Sequence, residues 1–183
     1  MIKSKYLSYF MDVAERTAQL SYAERLKVGT VIVKNNRIIS CGYNGLPAGW
    51  EPNDCERLIT LDYNQYTGLP EAEKSRYTKI VKEGGFSKES PYTDFREYFV
   101  WQGLKTYDEV VHSEANAIGQ LASSTESGIG AILVCTHSPC LQCSKIIYSS
   151  GIQAVYYKNE YRSNDGIQFL KKCGVEVTKY GEK

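Results

Sequence analysis

Ala131-Ile132-Leu133-Val134-Cys135-Thr136-His137-Ser138-Pro139-Cys140-Leu141-Gln142-Cys143 is the stretch that decides the fold of this 183-residue chain. Its first six residues form a short, continuous apolar run, as expected of a buried strand. Pro139 suits the first turn of a helix, where its missing N–H is not needed. Ile146 and Ile147 supply the apolar face of that helix and Gly151 closes it. Ala154 to Tyr157 is the next strand, and Ile167 to Cys173 followed by Val175 to Val177 repeats helix and strand. Strands separated by helices pair in parallel through crossovers.

Upstream, Val28 to Val33 and Arg37 to Tyr43 are two β-rich runs separated by Lys34-Asn35-Asn36, the pattern of an antiparallel hairpin whose asparagines tolerate positive φ. From Tyr6 to Leu20, the apolar residues Leu7, Phe10, Met11, Ala14 and Ala18 fall near helical spacing, with Ser21 close to the helix end. Ala115, Ile118, Leu121 and Ala122 predict another helix after His112. The expected architecture is α/β, a mixed sheet that begins with a hairpin and is covered by helices on both faces. The loop Tyr43-Asn44-Gly45-Leu46-Pro47-Ala48-Gly49 leaves the second strand and is suited to ligand contact.

A chain of this length fits one domain, 1–183, with a single core. Within it, residues 50–108 read as an insertion rich in Tyr, Gly and charge. A structureless loop that long is foreign to a compact domain, so the segment carries structure of its own or covers the site. Short helices are expected near Glu71 to Lys82 and Tyr92 to Trp101, with Phe95, Tyr98, Phe99 and Trp101 as anchors.

Charge and cysteine usage narrow the function classes. A net charge of +1 provides no broad attraction for polymeric nucleic acid, while a small anionic ligand remains compatible. Met1 to Leu20 has polar residues throughout, so neither a signal peptide nor a membrane span is expected and the protein reads as cytoplasmic. With no export signal, the six cysteines argue against a disulfide framework. Cys41 and Cys135, in apolar strand-like surroundings, read as buried small hydrophobes, and Cys140 and Cys143 as a metal-type pair.

His112-Ser113-Glu114 lies 28 positions before Cys140. The two strings supply one imidazole, two thiolates and a spare carboxylate. A structural zinc takes four protein ligands, whereas a catalytic zinc takes three and keeps a position open. At the start of one helix Cys140 and Cys143 stand one turn apart, near a positive helix end that favours thiolate. His112 and Glu114, two residues apart, point differently on a regular helix, so His112 belongs at the helix start. Zinc lowers the pKa of bound water towards about 7. Glu114 then takes the water proton, passes it to the ring nitrogen beside the reacting carbon, and helps protonate departing ammonia. Alone, Cys-x-x-Cys reads equally as structural zinc or a redox pair, and His-x-Glu says almost nothing. Together, in this order, with the proline and a strand before each helix, they match the signature of zinc-dependent base deaminases. His137 reads as shaping the site wall and not as a ligand.

At this point the chain resembles the deoxycytidylate deaminases, specifically those of bacteriophage. The resemblance rests on Lys27-Val28-Gly29, on Gly42-Tyr43-Asn44-Gly45-Leu46-Pro47-Ala48-Gly49, on Val111-His112-Ser113-Glu114-Ala115-Asn116-Ala117-Ile118 and on Ser138-Pro139-Cys140-Leu141-Gln142-Cys143; it covers both ends of the chain but not the middle. It implies the three-layer α/β/α sandwich of the cytidine deaminase fold on a mixed five-stranded sheet, and hydrolysis of dCMP to dUMP and ammonia, which supplies dUMP for thymidylate synthesis. It assigns His112, Cys140 and Cys143 to one Zn2+, Glu114 to proton transfer, and Asn44 to a hydrogen bond with the nucleoside. Arg25, Lys27, Tyr161 and Arg162 are the candidates for the phosphate by chemistry. The family is commonly hexameric, activated by dCTP and inhibited by dTTP. Ser113 stands where the family usually has Ala. Some phage members hold a second, structural zinc; with only Cys55 nearby and His137 as the spare histidine, one zinc is expected here. The competing readings are a deaminase of another cytosine or purine nucleotide or nucleoside, including a 5-substituted dCMP, and a zinc-containing nucleotide-binding module without turnover.

Overall fold

The computed structural model describes residues 2–82 and 99–181. In chain order its elements are α1 (Ser4–Ala18), β1 (Gly29–Lys34), β2 (Arg37–Tyr43), β3 (Glu56–Leu61), α2 (Tyr63–Thr67), α3 (Glu71–Lys74), β4 (Thr78–Val81), β5 (Phe99–Thr106), α4 (Ser113–Ala122), β6 (Ile132–His137), α5 (Leu141–Ser149), β7 (Ala154–Asn159), α6 (Asp165–Lys172) and β8 (Glu176–Lys179). They fall into two compact units, one from Met1–Asp54 with Glu109–Lys183 and one from Cys55–Asp108. Among the described residues no helix is long and apolar enough to cross a membrane.

The first unit is built on a five-stranded sheet of order β2-β1-β6-β7-β8. β1 runs antiparallel to both β2 and β6, and β6, β7 and β8 run parallel, so the sheet is mixed as expected. The β1–β2 turn passes through Asn35 and Asn36 at φ 51° and 60°, a region where asparagine is tolerated better than most residues. Because side chains alternate across a strand, each strand serves two cores. Val31, Val33, Val134, Ala154 and Tyr156 pack with Phe10, Met11 and Ala14 of α1. On the opposite face Ile32, Leu133, Cys135, Val155 and Tyr157 pack with Ala117 and Leu121 of α4, Ile147 of α5, and Ile167 and Leu170 of α6. The result is one helix, a sheet, and three helices in three layers.

Two glycines set how closely helices approach the hairpin. A Cβ on Gly29 would stand 2.1 Å from the Ala14 carbonyl oxygen, and one on Gly42 would stand 2.4 Å from the Ala117 nitrogen. Backbone therefore meets backbone at both faces, and α4 is seated directly over β2.

The second unit is a three-stranded antiparallel sheet of order β3-β5-β4. Trp101 is buried within it, stacked on Tyr66 at 4.4 Å with a 7° interplanar angle and tilted against Tyr63 at 6.0 Å. The insertion thus carries structure of its own.

Four local expectations are corrected. The helix expected over Glu71 to Lys82 is a single turn, Glu71–Lys74, followed by β4, because Thr78–Val81 finds a ladder partner in β5. Phe99 and Trp101 belong to β5 rather than to a helix, while residues 92–98, with Phe95 and Tyr98, lie outside the described residues. Cys41 is exposed, since it sits on the edge strand β2. Pro139 precedes the first turn of α5, because Cys140 occupies the cap with extended backbone and its sulfur accepts from the Cys143 N–H at 3.5 Å.

Candidate active site

His112 and Cys140 hold equivalent places in the fold, each being the residue that caps a helix, α4 and α5 respectively. Both have extended backbone, with φ and ψ of −71° and 152° for His112 and −69° and 168° for Cys140, so their side chains are free of the helical direction. Cys143 and Glu114 follow in the first turns. A strand leads straight into α5, but the residue before α4 makes only a bridge: Val111 exchanges both backbone hydrogen bonds with Gly45, at 2.9 and 3.1 Å. The expected strand before α4 is thereby reduced to a tie between the Gly45 loop and His112. Asn116 adds a second tie by donating to the Tyr43 carbonyl at 3.0 Å.

The two helix starts bring His112, Cys140 and Cys143 together, with their ligand atoms all within 4.8 Å of one another. His112 Nδ1 lies 3.5 Å from Cys140 Sγ and 3.4 Å from Cys143 Sγ. Tetrahedral zinc with bonds of about 2.05 Å to nitrogen and about 2.3 Å to sulfur places such a pair about 3.6 Å apart. The donor set therefore fits zinc in both chemistry and spacing. The exposed His112 and the buried Cys143 mark the open and closed sides of this cluster. Among the described residues it is the one group of His, Cys and carboxylate side chains at metal-binding distance.

The three groups of the cluster act strongly on one another. Cys140 is held far below the ordinary thiol range, at about 3, mainly by a hydrogen bond from the Cys143 thiol and further by His112. The same shared hydrogen bond, with burial, pushes Cys143 up. His112 is raised, chiefly by its hydrogen bond with Cys140. Glu114 is only 4% exposed, and burial raises it above the usual carboxylate range. Its charge acts on the cluster, raising both His112 and Cys143. Ser113 donates to Glu114 Oε2 at 3.0 Å, so the hydroxyl at this position is committed locally.

The candidates for substrate contact divide by place. Arg162 lies close enough to His112 to perturb its titration and stands 5.4 Å over the Tyr161 ring. The Tyr161 N–H donates to Ser138 Oγ at 2.8 Å, which anchors this pair to the segment that enters α5. Arg25 and Lys27 precede β1, where Asn44 braces the backbone on either side of Lys27: its Oδ1 accepts from Val28 N–H at 2.8 Å and its Nδ2 donates to the Leu26 carbonyl at 2.9 Å. Ser21 reaches the same loop, donating to the Asn44 carbonyl at 2.6 Å. Sequence reasoning gave no site role to Ser21, Thr30 or Ser138, since a single hydroxyl carries no spacing signal for the partner it will meet.

His137 is not a member of the cluster. Its Nδ1 is 3.1 Å from Thr136 Oγ1, and its carbonyl accepts from the buried Cys135 thiol at 2.9 Å.

Residues 4–159 match the family model described as the cytidine and deoxycytidylate deaminase zinc-binding region. The deoxycytidylate deaminase of Mycobacterium phage D29 is 33% identical over 161 residues, covering 87% of this chain and 99% of the phage protein. That of Enterobacteria phage T4 is 33% identical over 174 residues, covering 93% of this chain and 87% of the T4 protein. Among solved structures, the dCMP deaminase of cyanophage S-TIM5 in complex with dCMP and dUMP superposes with a TM-score of 0.70 at 34% identity, covering 98% of this chain and 99% of that one. A model matched over most of the length, relatives above 30% identity and a site with the fitting donor set lead to one conclusion: this chain belongs to the cytidine and deoxycytidylate deaminase family.

Proposed function

We propose that the protein hydrolyses dCMP to dUMP and ammonia. The observation that carries this reading is the placement of a buried carboxylate, Glu114, against a His112-Cys140-Cys143 set whose nitrogen-to-sulfur distances suit tetrahedral zinc. The S-TIM5 relative with dCMP and dUMP bound supports the choice of base and phosphorylation state. Zinc, when bound, supplies a Lewis acid that makes a water molecule acidic near neutral pH. Glu114 takes a proton from the attacking water, delivers it to the ring nitrogen beside the reacting carbon, and then helps protonate the leaving amine. A carboxylate whose proton affinity is raised by burial suits both halves of that exchange.

Arg162, with Tyr161 beneath it, is the first choice for the phosphate, because its guanidinium lies near His112 and offers a fork of donors. Arg25 and Lys27 act from the segment braced by Asn44, which itself contacts the nucleoside in this reading. Hexameric assembly, activation by dCTP, inhibition by dTTP and a cytoplasmic place of action belong to the same reading through the family.

Ammonia release measured across dCMP, deoxycytidine, dCTP and adenine nucleotides tests it, with turnover expected on dCMP. Equal turnover of deoxycytidine would remove the phosphate from the recognition scheme. Glu114→Gln should retain zinc and nucleotide binding while losing at least about 100-fold in kcat, the scale of a general acid–base contribution. Wild-type turnover in that variant would end the proton-shuttle mechanism.

A further inference from the structure

Behind Glu114 lies a second hydrogen bond that the proposed reaction does not use. Ser113 Oγ is 2.8 Å from Thr30 Oγ1 and 3.0 Å from Glu114 Oε2, and both Ser113 and Thr30 are wholly buried. An ionised carboxylate only accepts hydrogen bonds, so Ser113 spends its proton on Glu114 and its oxygen accepts the Thr30 O–H. The chain of donors therefore runs one way, from β1 through the first residue of α4 to the carboxylate.

We propose that Ser113, backed by Thr30, is a positioning residue that holds the Glu114 carboxylate in the orientation from which it moves protons. The inference rests on the proposed shuttle role of Glu114 and goes beyond it. Glu114 gains little from its sequence position, since a glutamate side chain has several torsions to fix and the first turn of a helix fixes none of them. Ser113 grips one carboxylate oxygen, and Thr30 in turn fixes the rotamer of Ser113 from the sheet. Buried side-chain chains of this kind are rigid only when every member is satisfied. Here each hydroxyl has a partner.

Zinc-loaded protein separates positioning from mere packing. Ser113→Ala should keep one zinc per chain and a KM for dCMP within about twofold, while kcat falls about tenfold, the loss expected of one hydrogen bond to a charged group. It should also lower the thermal midpoint, because Thr30 is left with a buried, unpaired hydroxyl. Ser113→Ala combined with Thr30→Val removes that orphan. The double variant should recover the midpoint and leave kcat low. Recovery of kcat together with the midpoint, or wild-type kcat in Ser113→Ala alone, would overturn the positioning role. Glu114→Gln in the same series isolates the underlying reading: activity in that variant would remove the shuttle itself, whereas an inactive Glu114→Gln beside a fully active Ser113→Ala would remove only the positioning inference.

Discussion

His137, three residues before Cys140 in the chain, is held by partners of its own. Thr136 Oγ1 accepts from the Gly29 N–H at 3.2 Å and lies 3.1 Å from His137 Nδ1, so the imidazole is tied to a hydroxyl that the sheet itself holds in place. Burial then lowers the imidazole below its ordinary pKa of about 6.5. The sign of the linkage follows: the unfolded chain binds this proton first, so the stabilisation from neutral His137 is fully present above about pH 6.5 and is lost as pH falls towards the folded pKa. In zinc-loaded protein His112 is tied up as a ligand, so an imidazole NMR titration reads His137 alone. Its midpoint should lie below 6.5; a midpoint at or above that value would contradict the burial argument. Replacement by Asn should flatten the fall in thermal midpoint between pH 7 and pH 5.

At the scale of elements, the site depends on how closely helices seat on their neighbours. α6 begins against the loop that carries Cys140: a Cβ on Gly166 would lie 2.1 Å from the Pro139 carbonyl oxygen and 2.9 Å from the Cys140 carbonyl carbon. Backbone offers no flexible end to move aside, so Gly166→Ala must shift α6 away from the start of α5. A loss of about 1–3 kcal/mol is expected from such overpacking, together with weaker zinc retention in a chelator competition. Gly42→Ala should behave similarly through α4, since its Cβ would stand 2.5 Å from the Ser113 carbonyl oxygen. Denaturant midpoints read the stability directly. Wild-type values for both variants would mean that the helix starts are not held by backbone contact.

For the molecule as a whole, zinc binding joins two helix starts that the chain keeps 28 residues apart. The ion binds the folded arrangement and not the open chain, so its binding free energy adds to folding stability. Chelation should therefore lower the thermal midpoint and abolish ammonia release, and added zinc should restore both. Cys140→Ala should reproduce the loss and resist rescue. Metal analysis is expected to find one zinc per chain in the wild type. An unchanged midpoint after complete chelation would separate the metal from the stability of this fold.

Much of this was legible along the chain because it is local. Asn35 and Asn36 announce the hairpin, the alternation of apolar runs with helical spacing announces parallel strands, and two short strings carry the whole zinc donor set with Glu114. The misreadings arose where the deciding partner is remote. Thr78–Val81 becomes a strand because β5 is there to pair with it, and backbone propensity over four residues is weaker than a ladder. Cys41 lies in an apolar-looking run, yet exposure depends on which strand ends the sheet. Thr30 and Ser113 are 83 residues apart, and nothing in either segment refers to the other. By itself, then, the sequence determined the layers, the His-Cys-Cys donor set and the carboxylate proposed to react beside it, because those follow from periodicity and short spacing. Only the tertiary structure decided which hydroxyl bonds to that carboxylate, which arginine stands near enough to act on His112 and how closely α4 and α6 seat, because each of these is a relation between distant segments, set by packing.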